Sequence, residues 1–381
     1  MNTLFVSEDY IRDCTRIDDN GKNKLVLRTV ECAHYVTLTD ADGRIYGEVS
    51  NLAEPCDYTT HVFYLPRGGT DRPMTVDFIN YSLSPSRFFE KRGDRGKTSL
   101  SPERITDSDT DAFIALSDNK IKPEKISEAE VCPGVRYQIL DCKNEKGAPV
   151  RAYALFVDPA KATFSTGTAE DGYAPHTHIQ TVKEQAEAAI ANGRRVVAAT
   201  NADFFDMFGN NAPGGLCVKD GRSIANADSL RNFFGVDLNG KPVISSYRES
   251  PELIGQLRCA VGGREIYLHN GALSELSLCE PFSFTPHPRT TAGICEDGTV
   301  VLLVVDGRMP SVSNGASIVD LARLMTFLGA RTAINLDGGG SSTILVDVDG
   351  ELVMLNRPAD LVRPDANLIR PIFNSIQIIQ K

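Results

Sequence analysis

Asn335-Leu336-Asp337-Gly338-Gly339-Gly340-Ser341-Ser342 sits between two short apolar runs, Thr332-Ala333-Ile334 and Thr343-Ile344-Leu345-Val346. Each run reads as a buried strand. Three consecutive glycines leave the backbone free to take positive φ and to approach another group without a Cβ in the way. An aspartate at the entry and two serines at the exit add an acid, donors and acceptors. A plain hairpin needs neither three glycines nor an acid beside them, so the run reads as a functional site. It lacks the Gly-Lys-Ser/Thr ending of a nucleotide P-loop and lies between strands.

Outward from this run, most segments read as strand. Thr299 to Val305 is the strongest, and Val196 to Thr200 and Phe233 to Asp237 follow the same pattern. Two helices stand out. Thr181 to Asn192 has apolar residues at Val182, Ala186, Ala189 and Ile190 and stops at Gly193, while Ser317 to Leu328 ends at Gly329. Ser317-Ile318-Val319-Asp320 resembles a capping box, which accounts for Asp320 without catalysis. Asp347-Val348-Asp349-Gly350 reads as a hairpin turn. Many strands with few helices predict an α+β fold with a mixed β-sheet core.

The first hundred residues also read as β, in runs such as Lys24 to Val30, His34 to Thr39 and Met74 to Ile79. They predict a small β-rich module with no catalytic constellation. From Phe88 to Glu130 the chain turns polar, with charge runs at 91–97 and 107–111. The expected organisation is therefore a module over 1–100, a polar linker over 101–130 and a larger domain over 131–381.

Fifty acidic against forty basic residues give a net charge of −10, which argues against nucleic acid or an anionic membrane as the main partner. No apolar stretch is long enough to span a bilayer. No export signal is visible at the start, so the chain as printed reads as cytoplasmic, or exported if a signal was removed. The nine cysteines include no C-x-x-C pair and read as small, reduced core residues. His176-Thr177-His178 lacks a third ligand nearby, so no metal and no cofactor is expected.

Three further segments carry polar groups at strand ends. Asn201-Ala202-Asp203-Phe204-Phe205 follows Val196–Thr200 and offers an amide and a carboxylate to hydroxyls, with aromatics to wall a pocket; a turn cap with core phenylalanines fits equally. Asp306-Gly307-Arg308 ends the strongest strand. If that strand neighbours the one ending in Asp337, two carboxylates meet at one sheet edge, the arrangement glycoside chemistry uses. Arg289, entering the buried run Thr290-Thr291-Ala292-Gly293, needs an anionic partner. Asp306, Asp337 or a substrate anion would serve.

In this order, the blocks Asn201–Phe205, Gly214-Gly215-Leu216 with Asp220-Gly221, Phe234–Asp237, Leu268–Gly271, Pro288–Gly293, Val305–Arg308 and Ala333–Ser342 resemble the phosphodiester glycosidase family. The resemblance runs from about Val131 to the C-terminus and leaves the N-terminal β region outside. Family members often carry glycine where this chain has Asp203, which marks Asp203 as a modifier of the pocket.

The resemblance implies hydrolysis of a sugar 1-phosphodiester at the glycosidic C1–O bond. Phosphate, with a second pKa of about 6, departs far more easily than a sugar alkoxide, so the site depends mainly on charge stabilisation. Asp306 and Asp337 are then expected to face the sugar as the catalytic carboxylates, with Asn201, Asp203 and Phe205 holding the ring. Arg289 and the amides of Gly338, Gly339, Gly340 and Ser341 are expected to bind the departing phosphate. A glycan or phosphopolymer-binding module without turnover, and a phosphodiesterase cutting the P–O bond, are the competing readings. Neither the sugar nor the oligomeric state can be read from these residues.

Overall fold

The computed structural model describes residues 3–5, 11–19, 22–30, 35–47, 50–53, 58–66, 68–80, 94–108, 113–114, 121–144, 146–173, 178–226, 231–246, 251–274, 283, 285–359 and 369–381. Charge runs 91–93 and 109–111, and His176 with Thr177, lie outside them. The chain divides into two compact units, Met1–Phe113 with Glu275–Ser283, and Ile114–Ser274 with Phe284–Lys381. Each is mostly β-sheet, and among the described residues the α-helices whose bounds are given are Val182–Ala191 and Ile318–Phe327.

The first unit holds two five-stranded sheets. Alternating residues of both, among them Leu25, Leu27, Val36, Leu38, Phe63, Leu65 and Val76, share one buried cluster. Period-two alternation puts every second side chain on that face.

The second unit stacks three sheets around a larger core. The first runs, strand beside strand, through Ile266–His269, Ala330–Leu336, Arg289–Cys295, Val300–Val305, Pro149–Val157, Val135–Lys143 and Lys122–Cys132. The second orders Ala162–Thr168, Asn374–Gln380, Val196–Asn201, Ile344–Val348 and Glu351–Met354. The third contains Leu216–Lys219, Leu257–Gly263 and Asn232–Asp237. Leu302, Val304 and Leu155 of the first sheet meet Ala198, Ile344 and Ile376 of the second and Phe234, Val236 and Val261 of the third.

Both helices begin as the sequence indicates. Thr181 and Glu184 form one capping box, Ser317 and Asp320 the other. Gly193 and Gly329 follow them at positive φ, and Asp349-Gly350 turns the hairpin at 344–354. Lys122–Cys132 departs from expectation: most of it falls in the expected linker, yet it is an edge strand paired with Val135–Lys143. Its charged side chains face solvent, with Glu128 meeting Arg136 at 2.9 Å and Glu124 meeting Lys143 at 2.8 Å. Charge is what keeps an edge strand from pairing with a second chain, so an edge and a linker share a composition.

Candidate active site

The register of the first sheet brings three of the expected residues to one edge. Arg289 pairs with Val305 and Thr290 with Leu336, so the chain leaves the sheet at Asp306 and at Asp337 on the same side. The two acid-bearing strands are not direct neighbours, because Arg289–Cys295 lies between them.

Asn201 ends the buried strand Val196–Asn201 and is itself fully buried. Its Nδ2 donates to the Asp337 carbonyl at 2.6 Å, and its Oδ1 accepts from Thr290 Oγ1 at 2.8 Å and from the Thr343 amide at 3.0 Å. The Asp337 amide donates in turn to Ala202 O at 2.8 Å. The amide side chain expected to hold a sugar instead ties the second sheet to the glycine turn.

The turn also differs from expectation. Gly339 takes φ of +64° and its amide donates to Pro288 O at 2.9 Å, while the Ser341 amide donates to Gly338 O at 3.2 Å. A Cβ on Gly338 would lie 2.5 Å from Pro288 O. The glycines therefore let two backbone segments close on each other. Two of the amides expected to form an anion nest are spent on carbonyls, and that of Gly338 is hydrogen-bonded to the Asp337 carboxylate.

Asp337 is half-buried. Burial pushes its carboxyl up to about 6, against the Ser341 hydroxyl, the Arg370 charge and the Gly338 amide, which favour the ionised form. Arg370 Nη1 lies 3.5 Å from Ser341 Oγ, and the exposed Arg308 guanidinium lies beside Gly339, so two cations flank the turn.

Asp306 does not share this exposure. It is buried, and Tyr153 donates to its Oδ2 at 3.0 Å, Asn356 to its Oδ1 at 3.3 Å and the Arg357 amide to its Oδ1 at 3.0 Å. Burial raises its carboxyl above the usual range despite these donors. The residue expected as a second catalytic carboxylate thus has its oxygens on protein donors and binds the 356–357 segment to the sheet.

Arg289, expected to meet the departing phosphate, is spent on backbone carbonyls. Strand alternation sends Thr290 toward Asn201 and Ser342 and sends Arg289 to the opposite face, where Nε donates to Ala316 O at 3.0 Å and Nη2 to Thr285 O at 3.2 Å. Burial lowers its guanidinium to about 10, and the acids that act on it are Glu265 and Asp320.

Phe205 packs against the cluster under helix Val182–Ala191 instead of walling the site. Its neighbour Phe204 is the ring set among charges, with the Arg231 and Arg264 guanidinium carbons each 5.8 Å from its centroid. Asp203 is buried, its Oδ2 accepting from the Gly215 amide at 2.8 Å and its own amide donating to Asn374 Oδ1 at 2.9 Å. Burial, reinforced by the nearby Asp337 charge, raises its carboxyl to about 7 against the Gly215 amide and the Arg231 charge. His178, whose partner histidine lies outside the described residues, is 3.8 Å from Glu170.

Tyr153, Asn356, Arg370 and Asn374 carry no local pattern that marks them in the sequence. Arg308 and Arg231 do lie within or beside the recognised blocks, and a basic residue there was the available signal.

Residues 194–371 match the family described as phosphodiester glycosidase. The mouse N-acetylglucosamine-1-phosphodiester alpha-N-acetylglucosaminidase is 27% identical over 178 residues, 42% of this chain and 33% of that protein. The bovine enzyme is 28% identical over 166 residues, 39% of this chain and 31% of its own length. The matched region thus spans about a third of these relatives. The zebrafish catalytic domain, solved in a form auto-inhibited by its pro-peptide, superposes with a TM-score of 0.55 at 22% identity, covering 68% of this chain and 89% of that one. That likeness is one of fold. Asn201, Asp203, Arg289, Asp306, Asp337 and the glycine turn all lie within residues 194–371, which carry the sequence pattern of the phosphodiester glycosidase family.

Proposed function

We propose that this chain hydrolyses the glycosidic C1–O bond of a sugar 1-phosphodiester, releasing free sugar and a phosphomonoester, with N-acetylglucosamine as the first sugar to test. The observation that carries this reading is the half-buried Asp337 carboxyl, raised to about 6 and seated between the Ser341 hydroxyl and Arg370, inside the region that matches the family. At neutral pH it is ionised, and it acts as base toward water or as nucleophile toward C1.

The leaving phosphate takes the bonding electrons of the C1–O bond, so cations rather than a strong acid stabilise its departure. Arg370 and Arg308 are assigned this role in place of Arg289. The hydroxyl of water ends on C1, and its proton passes through Asp337 to solvent. Asp306 acts by holding the 356–357 segment and not by touching the sugar. The chemistry belongs to the domain from residue 131 onward, and the β-rich N-terminal module over residues 1–100 is read as separate from it.

The test is incubation with an α-linked N-acetylglucosamine 1-phosphodiester in the presence of chelator, with product identification. Free sugar and a phosphomonoester support the reading. N-acetylglucosamine 1-phosphate would assign a P–O phosphodiesterase instead, and binding without products a recognition module.

A further inference from the structure

Two buried polar atoms beside the site find no hydrogen-bond partner among the described residues: Asp203 Oδ1, a potential acceptor, and Arg231 Nη1, a donor. A buried polar atom without a partner costs free energy, so a pair of them calls for a group that both can meet.

The backbone around them is shaped to bring them close. A Cβ on Gly262 would lie 2.5 Å from Asp203 Oδ2, and one on Gly214 would lie 2.8 Å from Arg231 Cζ. Gly215 supplies the amide that fixes Oδ2; the Phe204 amide also favours the ionised carboxylate but does not meet Oδ1 in hydrogen-bonding geometry. Asn374 pins the Asp203 backbone from the second sheet. The Arg231 charge acts directly on the Asp203 carboxyl. Phe204 joins the two residues, as the chain neighbour of Asp203 and the ring beneath Arg231.

A hydroxyl matches this pair in a way that a simple anion or cation does not. It accepts from Arg231 Nη1 and donates to Asp203 Oδ1 when the carboxyl is ionised, and it accepts from both when Oδ1 carries the proton. An anion would meet Arg231 and be repelled by Asp203; a cation would meet the reverse. A half-buried aromatic beside the pair suits the apolar face of a pyranose ring.

We infer that Asp203 and Arg231, set on Phe204, form a hydroxyl-reading subsite that determines which sugar this chain accepts. The inference rests on the glycosidase reading for the reaction, but not for the binding.

The experiment measures binding without turnover. Methyl α-glycosides of N-acetylglucosamine, glucose, mannose and galactose, with 3-, 4- and 6-deoxy forms of the tightest binder, are titrated into the full chain and into Asp203→Ala, Arg231→Gln and the double variant. Asp203→Gly, which likewise removes the carboxyl, serves if Asp203→Ala does not fold, as judged by circular dichroism. The expected result is a loss of about 10-fold or more in each single variant, the worth of one charged hydrogen bond. The two losses do not add in the double variant, and one deoxy sugar binds wild type and variants alike. Equal binding of every sugar by wild type and folded variants overturns the subsite and leaves the two atoms to ordered water, as does failure of the wild type to bind any of the four sugars. Loss of binding in the variants together with no hydrolysis of the phosphodiester retains the subsite and removes the glycosidase reading.

Discussion

Asn201 Nδ2 donates to the carbonyl oxygen of Asp337 at 2.6 Å, which makes the end of one sheet the support for the acid that leaves another. The same side chain accepts from Thr290 and from the Thr343 amide, so its removal strands several buried groups at once. Asn201→Ala is expected to cost roughly 2–4 kcal/mol in urea unfolding, the sum of two or so unsatisfied groups. A change below about 0.5 kcal/mol would show that water replaces the amide freely.

The two strand-end aspartates are expected to fail differently. Asp337→Asn should lower turnover about 10²-fold or more with the melting temperature near wild type, since Asp337 is only partly buried at the turn. Asp306→Asn sets an amide donor among the donors of Tyr153, Asn356 and Arg357 and should destabilise by roughly 2–3 kcal/mol. Parallel thermal melts and initial rates separate the two. An Asp306→Asn protein with wild-type stability and no activity would return that residue to the catalytic set.

Activity should rise with pH through about 6, as the Asp337 carboxylate forms. The stability contribution runs the other way. A carboxyl raised from 3.8 to about 6 on folding holds its proton more tightly in the native state. Its contribution therefore falls as pH climbs from about 4 to about 6 and is level above that. The pH–rate profile and urea midpoints at pH 4 to 7, with Asp337→Asn as control, read both effects.

Elsewhere in the second unit, the buried Lys219 ammonium donates to Asp171 at 2.5 Å, and Arg194 bridges Asp171 and Asp220. Burial works against both carboxylates, but hydrogen bonds from these cations and from Tyr173 outweigh it and leave both below the usual range. Stability from this network is present above the ordinary carboxylate pKa of 3.8 and is lost as pH falls below it. Lys219→Met should cost roughly 3–5 kcal/mol, because Asp171 loses a buried partner. Urea unfolding at pH 7 and pH 3 checks it, with the difference between the proteins shrinking at the lower pH.

Gly338→Ala should disturb the turn itself, since its Cβ would fall 2.5 Å from Pro288 O. A loss of roughly 1–3 kcal/mol, with a fall in turnover, is expected from overpacking of this kind. An alanine variant with unchanged rate would mean that the turn relaxes without moving Asp337.

The strands, both helices, the cap at Ser317 and the 349–350 hairpin were legible because each is written in local residues: period two, helical spacing, a Ser-x-x-Asp start, a glycine stop. The clustering of Arg289, Asp306 and Asp337 at one edge was legible too, because all three end or begin apolar strands. What local pattern does not encode is parity and distant supply. Arg289 and Thr290 are adjacent, yet pleating sends one away from the site and the other into it. Phe204 and Phe205 divide in the same way. Asp306 looked available because its donors come from residues 153, 356 and 357. No spacing near 306 announces them.

Strand Asn374–Gln380 lies between Ala162–Thr168 and Val196–Asn201 and pairs with both, and Asn374 also fastens Asp203. During synthesis, therefore, a ribosome that has emitted Asp203, Arg231 and Asp337 has not yet delivered the piece that joins their sheet. The nascent chain carries every proposed reactive group before it has anywhere fixed to put them. Hydrolysis and recognition would both begin only after this later-made strand has slid into its gap, which makes the timing of activity a matter of translation as much as of folding.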